Sequence, residues 1–178
     1  MAAFDPEVEL THPADYRLMM STFVTLFWRS GVLNRSVDQL VALGYDVVHV
    51  DAMAWTAEQD LHRDIAAALN FPSYYGHNLP ALNDCLGDVG SMEYGTSPAA
   101  TGLALVLSGY DKFFAIEPYV AHSLLDIFAR QARHAALIGN RMMCLVQTDD
   151  PQIAFAPVGA VPVEWNQTEW LTSSRRPG

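Results

Sequence analysis

Cysteine is scarce in this chain. The two residues, Cys85 and Cys144 among 178, are too few for a disulfide scaffold, and neither stands in a CxxC pair or a Cys/His cluster of the kind that holds zinc. Long apolar runs are missing too. The most hydrophobic stretch, 18–28 (LMMSTFVTLFW), is interrupted by Ser21, Thr22 and Thr25 and ended by Arg29, short of the roughly 18 continuous apolar residues that a membrane helix requires. The opening residues 1–7 lack the basic start and apolar run of a signal peptide. These absences lead us to expect a soluble, cytoplasmic protein with reduced thiols and no membrane partner. Positive charge is the third shortage: 10 Lys and Arg face 20 Asp and Glu, a formal charge of -10. Phosphate backbones repel such a chain, so the balance argues against direct nucleic-acid binding and suits a basic partner. No glycine-rich phosphate loop, nucleophile elbow or triad-like Ser or Cys context occurs. No cofactor and no metal are expected.

Apolar material is plentiful, with 51% hydrophobic against 17% charged residues, enough for one well-filled core. Residues 1–15 hold four acids and two prolines and read as a loose arm. Thr22 to Trp28 is short, β-branched and aromatic, which predicts a buried strand. Asn34 or Ser36 is positioned to cap a short helix that Gly44 stops, and 45–50 (YDVVHV) predicts a second strand. Thr56 with Gln59 forms a capping-box pattern before a helix on which Leu61, Ile65, Ala68 and Leu69 share a face, and Pro72 closes it. Residues 87–101 read as a loop. Leu103 to Leu107 is a third strand, a long helix starts near Glu117 with Pro118 in its first turn, and Met142 to Val146 is a fourth strand. The tail offers edge strands at 153–155 and 161–163, broken by prolines, and a frayed end from 172. Strands linked through helices by tight connections make parallel pairs. The fold class is therefore α/β, a small, mostly parallel sheet flanked by helices.

The segment 60–86 (DLHRDIAAALNFPSYYGHNLPALNDCL) carries the functional information. Pro72 ends one helix, Tyr74 and Tyr75 occupy the connection, Gly76 permits a turn with positive φ, and Asn78 caps the next helix. At about 100° per residue Leu79, Leu82 and Leu86 fall on one side, while Asp84 and Asp88 share a solvent-facing edge flanked by Asn83. Between Arg63 and Lys112 there is no Lys or Arg, whereas Asp64, Asp84, Asp88, Glu93 and Asp111 lie in that window. Such a surface attracts a cationic site. Taken alone, Asp84 reads as a solvated helix carboxylate, Tyr75 as a packing residue with Tyr74 exposed, Asn78 first as a cap, and Cys85 and His62 as core.

The ordered set Asp60-Leu61-His62, Pro72, Tyr74-Tyr75-Gly76, Asn78-Leu79, Ala81-Leu82 and Asp84-Cys85-Leu86 resembles the inhibitory loop and helix of the barstar family, proteins that bind and block secreted ribonucleases of the barnase type. With looser similarity in the strands and long helix, the resemblance covers about Tyr45 to Gln147. It implies a parallel sheet flanked by helices and a helix-plus-turn that plugs a nuclease active site. By motif position Asp84 takes the place of substrate phosphate among the enzyme's basic residues, and Tyr74, Gly76 and Asn78 are contact positions. Asn83 and Asp88 complete the expected partner surface. The chain also departs from the family: Pro80 stands where the known inhibitors have a second aspartate, Asn83 where they have a tryptophan, and His122 where an acidic residue opens their last helix.

The division expected is an arm at 1–15, a strand–helix extension at 16–44, the barstar-like domain at 45–147 and a C-terminal extension at 148–178. The function expected is that of a monomeric inhibitor that occludes a basic nuclease. Two other readings stand beside it. One is a hydrolase with His49, Asp51 and His122 converging, and the other is a barstar-fold protein that self-associates or binds a non-ribonuclease partner.

Overall fold

The computed structural model describes residues 12–176. Five strands form one sheet, all parallel: β1 (Val24–Phe27), β2 (Asp46–Asp51), β3 (Leu103–Ser108), β4 (Met142–Gln147) and β5 (Glu164–Trp165), in the spatial order β2-β3-β4-β1-β5. The helices are α1 (Ala14–Met19), α2 (Ser30–Ala42), α3 (Glu58–Ala68), α4 (Leu79–Gly90), α5 (Tyr110–Ile116) and α6 (Pro118–Leu137). Apart from Ser108 at the end of β3, both central strands β3 and β4 are buried throughout, as expected of parallel strands covered on both faces. The sheet separates two cores. On one side Val24, Leu26, Leu105, Leu107 and Cys144 pack under α3, α4, α5 and α6. On the other Phe27, Ala104, Val106, Met143 and Leu145 pack under α2.

Four anticipated strands and the long helix stand close to where the sequence places them. Pro118 occupies the first turn of α6, and Gly44 leaves α2 with φ +84°. Several ends differ. α2 begins at Ser30, so Asn34 and Ser36 lie inside it, and the Ser36 hydroxyl donates to the Val32 carbonyl. The cap comes from far away: the buried carboxylate of Glu169 accepts from the backbone N–H groups of Trp28 and Arg29 at 2.9 and 3.0 Å, putting negative charge at the positive end of the helix. The Thr56/Gln59 capping box does not form. α3 starts at Glu58, and Asp60 accepts from both the backbone N–H and the hydroxyl of Thr56. α4 extends three residues past Gly87 into the expected loop, and α5 is a helix the pattern gave no sign of.

The two extensions lock onto the sheet. Residues 1–11 of the anticipated arm lie outside the described residues, but Ala14 and Asp15 already belong to α1. Asp15 is buried, accepting from the Tyr45 hydroxyl at 2.9 Å and from Arg141 at 3.2 Å, so the loose arm does not reach residue 15. In the tail, 153–155 is not a strand. The one strand there is β5, beside β1, preceded by a single bridge between Val158 and Val161. The end is not frayed at 172–175: Thr172–Arg175 is a 3-10 turn, and buried Arg175 donates to the carbonyls of Pro151, Glu169 and Trp170. Among the described residues no helix is long and apolar enough to cross a membrane.

Candidate functional site: an acidic helix and its tyrosine loop

The candidate surface is built by α4 and the connection before it. Asn78 caps the helix as its sequence position implies. Its side-chain oxygen accepts from the Ala81 N–H at 2.9 Å, and its amide donates back to the Gly76 carbonyl at 3.1 Å, satisfying one free donor of the first turn. The expected reason for Gly76 is corrected. The positive φ, +49°, belongs to His77. A Cβ at 76 would come within 3.1 Å of the Asn78 amide and 3.4 Å of Ala81, a tight fit that the Asn78 side chain would have to yield to, so the turn closes closely over the helix start.

The two tyrosines divide their work as expected. Tyr74 is 77% exposed, whereas Tyr75 is buried. Beneath the loop runs a relay: the His62 Nε2 lies 3.1 Å from Glu58 Oε1, and the Tyr75 hydroxyl lies 2.5 Å from His62 Nδ1. A carboxylate only accepts, so Nε2–H donates to Glu58, and Nδ1 is left to the Tyr75 hydroxyl. Burial pushes the Tyr75 hydroxyl well above the usual phenol range, helped by the nearby Cys85 and Glu58, so it stays a donor. With its ring edge-on to Phe71 at 4.9 Å, Tyr75 fixes the loop that presents Tyr74.

On the helix itself Leu82, Cys85, Leu86 and Val89 face the core. Asp84 is exposed and Asp88 half-buried. The Tyr94 hydroxyl donates to Asp88 at 3.0 Å, and burial raises that phenol too, ahead of its contacts with Cys85 and Asp88. Asn83 is half-buried and tied sideways: Gln131 of α6 donates to its oxygen at 2.9 Å, and its own amide leans on Asp84 at 3.3 Å. None of the ion pairs among the described residues involves Asp84 or Asp88, the arginines nearby in sequence being spent elsewhere, Arg63 on Asp60 and Asp64, Arg130 on Asp126. The rim thus stays negative and open. The Thr56 backbone N–H, then Arg63 and the Thr56 hydroxyl, hold the Asp60 carboxyl down at about 2.

The structure brings Tyr74, Gly76, Asn78, Asn83, Asp84 and Asp88 onto one loop–helix unit. His122 is not part of it. It sits nine residues before Gln131, about 13 Å along the helix at 1.5 Å per residue, and its Nε2 is buried without a partner. Nor do His49, Asp51 and His122 converge: His49 lies on edge strand β2, Asp51 caps the following 3-10 turn through the Met53 N–H, and among the described residues no three His, Cys, Asp or Glu side chains form a metal-binding group. Sequence reasoning missed Gln131 and Tyr94, which fix Asn83 and Asp88. Neither lies at a helical spacing from its partner, so no local signal marked them.

The family model described as Barstar (barnase inhibitor) matches residues 45–147, well over half of the 178. The chain belongs to the barstar family. The match ends where the strand–helix extension begins on one side and where β4 ends on the other, so the loop, α4 and α6 all lie inside it, while α1, β1, α2 and β5 do not. Among curated proteins none matches the chain. Membership fits the barstar-like architecture of a parallel sheet with helices, and the family is one of inhibitors of ribonucleases such as barnase.

Proposed function

We propose that this chain, which needs no catalytic group of its own, inhibits a ribonuclease or related nuclease toxin by seating α4 and the Tyr74–Asn78 loop in the enzyme's basic active site. The observation that supports it most is the exposure of Asp84, free of any ion pair among the described residues, on the family's own inhibitory segment in a chain of net charge -10. Asp84 stands in for a substrate phosphate, and Tyr74 packs against the wall of the cleft. Asp88, one turn on, supplies a second charge toward the helix C-terminal end, while Pro80 and the Gln131-bound Asn83 leave the opposite side neutral. This footprint differs from the family's usual one, so the target's cations are arranged for it. On this reading the protein is a cytoplasmic immunity protein of a bacterium, acting as a monomer.

Affinity capture with wild type and Asp84→Ala as baits, followed by nuclease titration of what is captured, tests this reading. A centrally placed, desolvated charge gives a loss of at least about 2 kcal/mol, roughly thirtyfold in Kd, with an unchanged unfolding curve. Asp88→Asn costs less, because Tyr94 already satisfies part of that carboxylate. Added salt slows association. A nuclease that binds Asp84→Ala as tightly as wild type overturns the assignment.

A further inference from the structure

The extensions enclose a cleft of about 510 Å³ between α1, α2 and the β1–β5 edge of the sheet, away from α4. That volume lies in the range of small-molecule sites. Its lining departs from the rest of the molecule in charge. Arg17 and Arg35 line it, and neither forms an ion pair with any described residue, while the single lining acid, Glu164, accepts from the Ser21 hydroxyl at 2.5 Å. Two guanidinium groups without an ion pair among the described residues, in a protein of net charge -10, are a local inversion of sign. Trp165 and Trp170 also line it. Trp165 is held on one face by Arg175, whose guanidinium carbon lies 4.2 Å from the ring centroid, and Trp170 is 55% exposed.

The floor carries an unused polar group. Thr25 lines the cleft, and its hydroxyl, within reach of solvent there, takes part in no hydrogen bond among the described residues. It sits on the α2 face of β1, between Val24 and Leu26, which face the other core. The surrounding frame is rigid: Thr22 donates to the Pro162 carbonyl, and Asn166 donates to the Leu26 carbonyl and to Glu169. A preformed cleft lined by two guanidinium groups, two indole rings and an open hydroxyl matches a ligand with a charged end and a planar ring.

We propose that this cleft binds a ring-bearing phosphate of mononucleotide size, with the phosphate on Arg17 and Arg35, the ring against Trp165 and Trp170, and a polar atom on the Thr25 hydroxyl. The proposal is independent of nuclease inhibition. It is also compatible with poor binding of nucleic-acid strands, because a single small anion meets the local positive field rather than the acidic surface as a whole.

Calorimetric titration of the full chain with adenosine, guanosine, cytidine and uridine 5′-monophosphates tests it, with the parent nucleosides and inorganic phosphate as controls. The expected result is saturable binding of at least one mononucleotide, with nucleoside and phosphate each weaker by about tenfold or more. The Arg17→Ala/Arg35→Ala double variant, both side chains lying outside the core, keeps its unfolding curve and loses about tenfold or more in affinity. Trp170→Ala weakens the mononucleotide but not free phosphate. Absence of saturable binding by all four mononucleotides, or unchanged affinity in the double arginine variant, overturns the site. Phosphate bound as tightly as the mononucleotides overturns the role of the tryptophans.

Discussion

The acidic rim and the arginine-lined cleft are built in opposite ways. The side-chain hydrogen bonds that set Asn78, Asp88 and Tyr75 join residues close in sequence, Asn78 to Ala81, Asp88 to Tyr94, His62 to Glu58 and to Tyr75, and the longer reaches are those of Gln131 to Asn83 and Asn140 to the end of α4. The cleft depends on bonds that span most of the chain. Ser21 reaches Glu164 across 143 residues, Trp28 reaches Glu169 across 141, and Thr22 reaches Pro162 across 140. A surface assembled from local bonds is written into a short motif and survives as a recognisable signature. A surface assembled from both ends of the chain exists only after folding, and it lies outside the stretch the family model matches. The difference separates what identifies the protein from what distinguishes it.

The hardest test of that contrast is Glu169. Its fully buried carboxylate accepts two backbone N–H groups at the start of α2 and the Asn166 amide, and it faces Arg29 at 3.9 Å. Removing one partner of a buried charged network strands the others, and two orphaned donors with an unpaired amide amount to about 3 kcal/mol. Glu169→Ala is expected to lower the urea midpoint by that much with little change in slope. In conditions where the variant remains folded, nuclease binding through α4 is expected to be unchanged. A loss below about 1 kcal/mol would mean that the extensions are not joined through this residue, and the contrast between local and distant construction would fall with it.

The same contrast accounts for what the sequence reveals. Asn78, Pro118 and Gly44 announce their structures because cap, first turn and stop are decided within a few residues. The buried side of α4 follows from the leucine spacing. The start of α2 was misplaced because its cap is Glu169, and nothing near Ser30 records that. Asp15 looked like part of an acidic arm, since its partners Tyr45 and Arg141 are distant in the chain. Arg175 looked like a frayed end although it holds three carbonyls and stacks on Trp165. Gly76 reads as the residue that permits a positive φ, whereas that φ belongs to His77 and what Gly76 meets is the close approach of Asn78. Acidic residues show the limit most clearly: composition tells that Asp84, Asp88, Asp15 and Glu169 are charged, and only packing separates an open rim from a buried clamp.

A smaller effect sharpens the local half of the comparison. Tyr75→Phe keeps the ring packed on Phe71 but removes the hydroxyl bonded to His62 Nδ1. His62 is 1% exposed, so that nitrogen is left without a partner, and the expected cost is about 1.5 kcal/mol in unfolding free energy. Because the loop is positioned by this bond, the nuclease complex of Tyr75→Phe is expected to dissociate faster while associating at the wild-type rate. An unchanged dissociation rate would show that Tyr74 is presented without the relay.

The distant half has its own, weaker counterpart in Tyr45, whose hydroxyl joins β2 to α1 through Asp15. Tyr45→Phe is expected to cost about 1 kcal/mol at neutral pH, less than Tyr75→Phe because Asp15 keeps Arg141. Its signature lies at high pH. Burial, with the Asp15 hydrogen bond and charge adding to it and Arg141 opposing, pushes the Tyr45 hydroxyl from 10.0 up to about 12. A raised folded-state pKa gives stability that is complete below the unfolded value and drains away as pH climbs from about 10 to about 12, since the unfolded chain releases the proton first. Tyr75, Tyr94 and Tyr110 are raised as well, so wild type loses stability steeply in that window, and Tyr45→Phe should lose it less steeply by one proton's share. Parallel slopes for the two proteins would mean that Tyr45 titrates as freely in the fold as out of it, and that α1 is tethered through Arg141 alone.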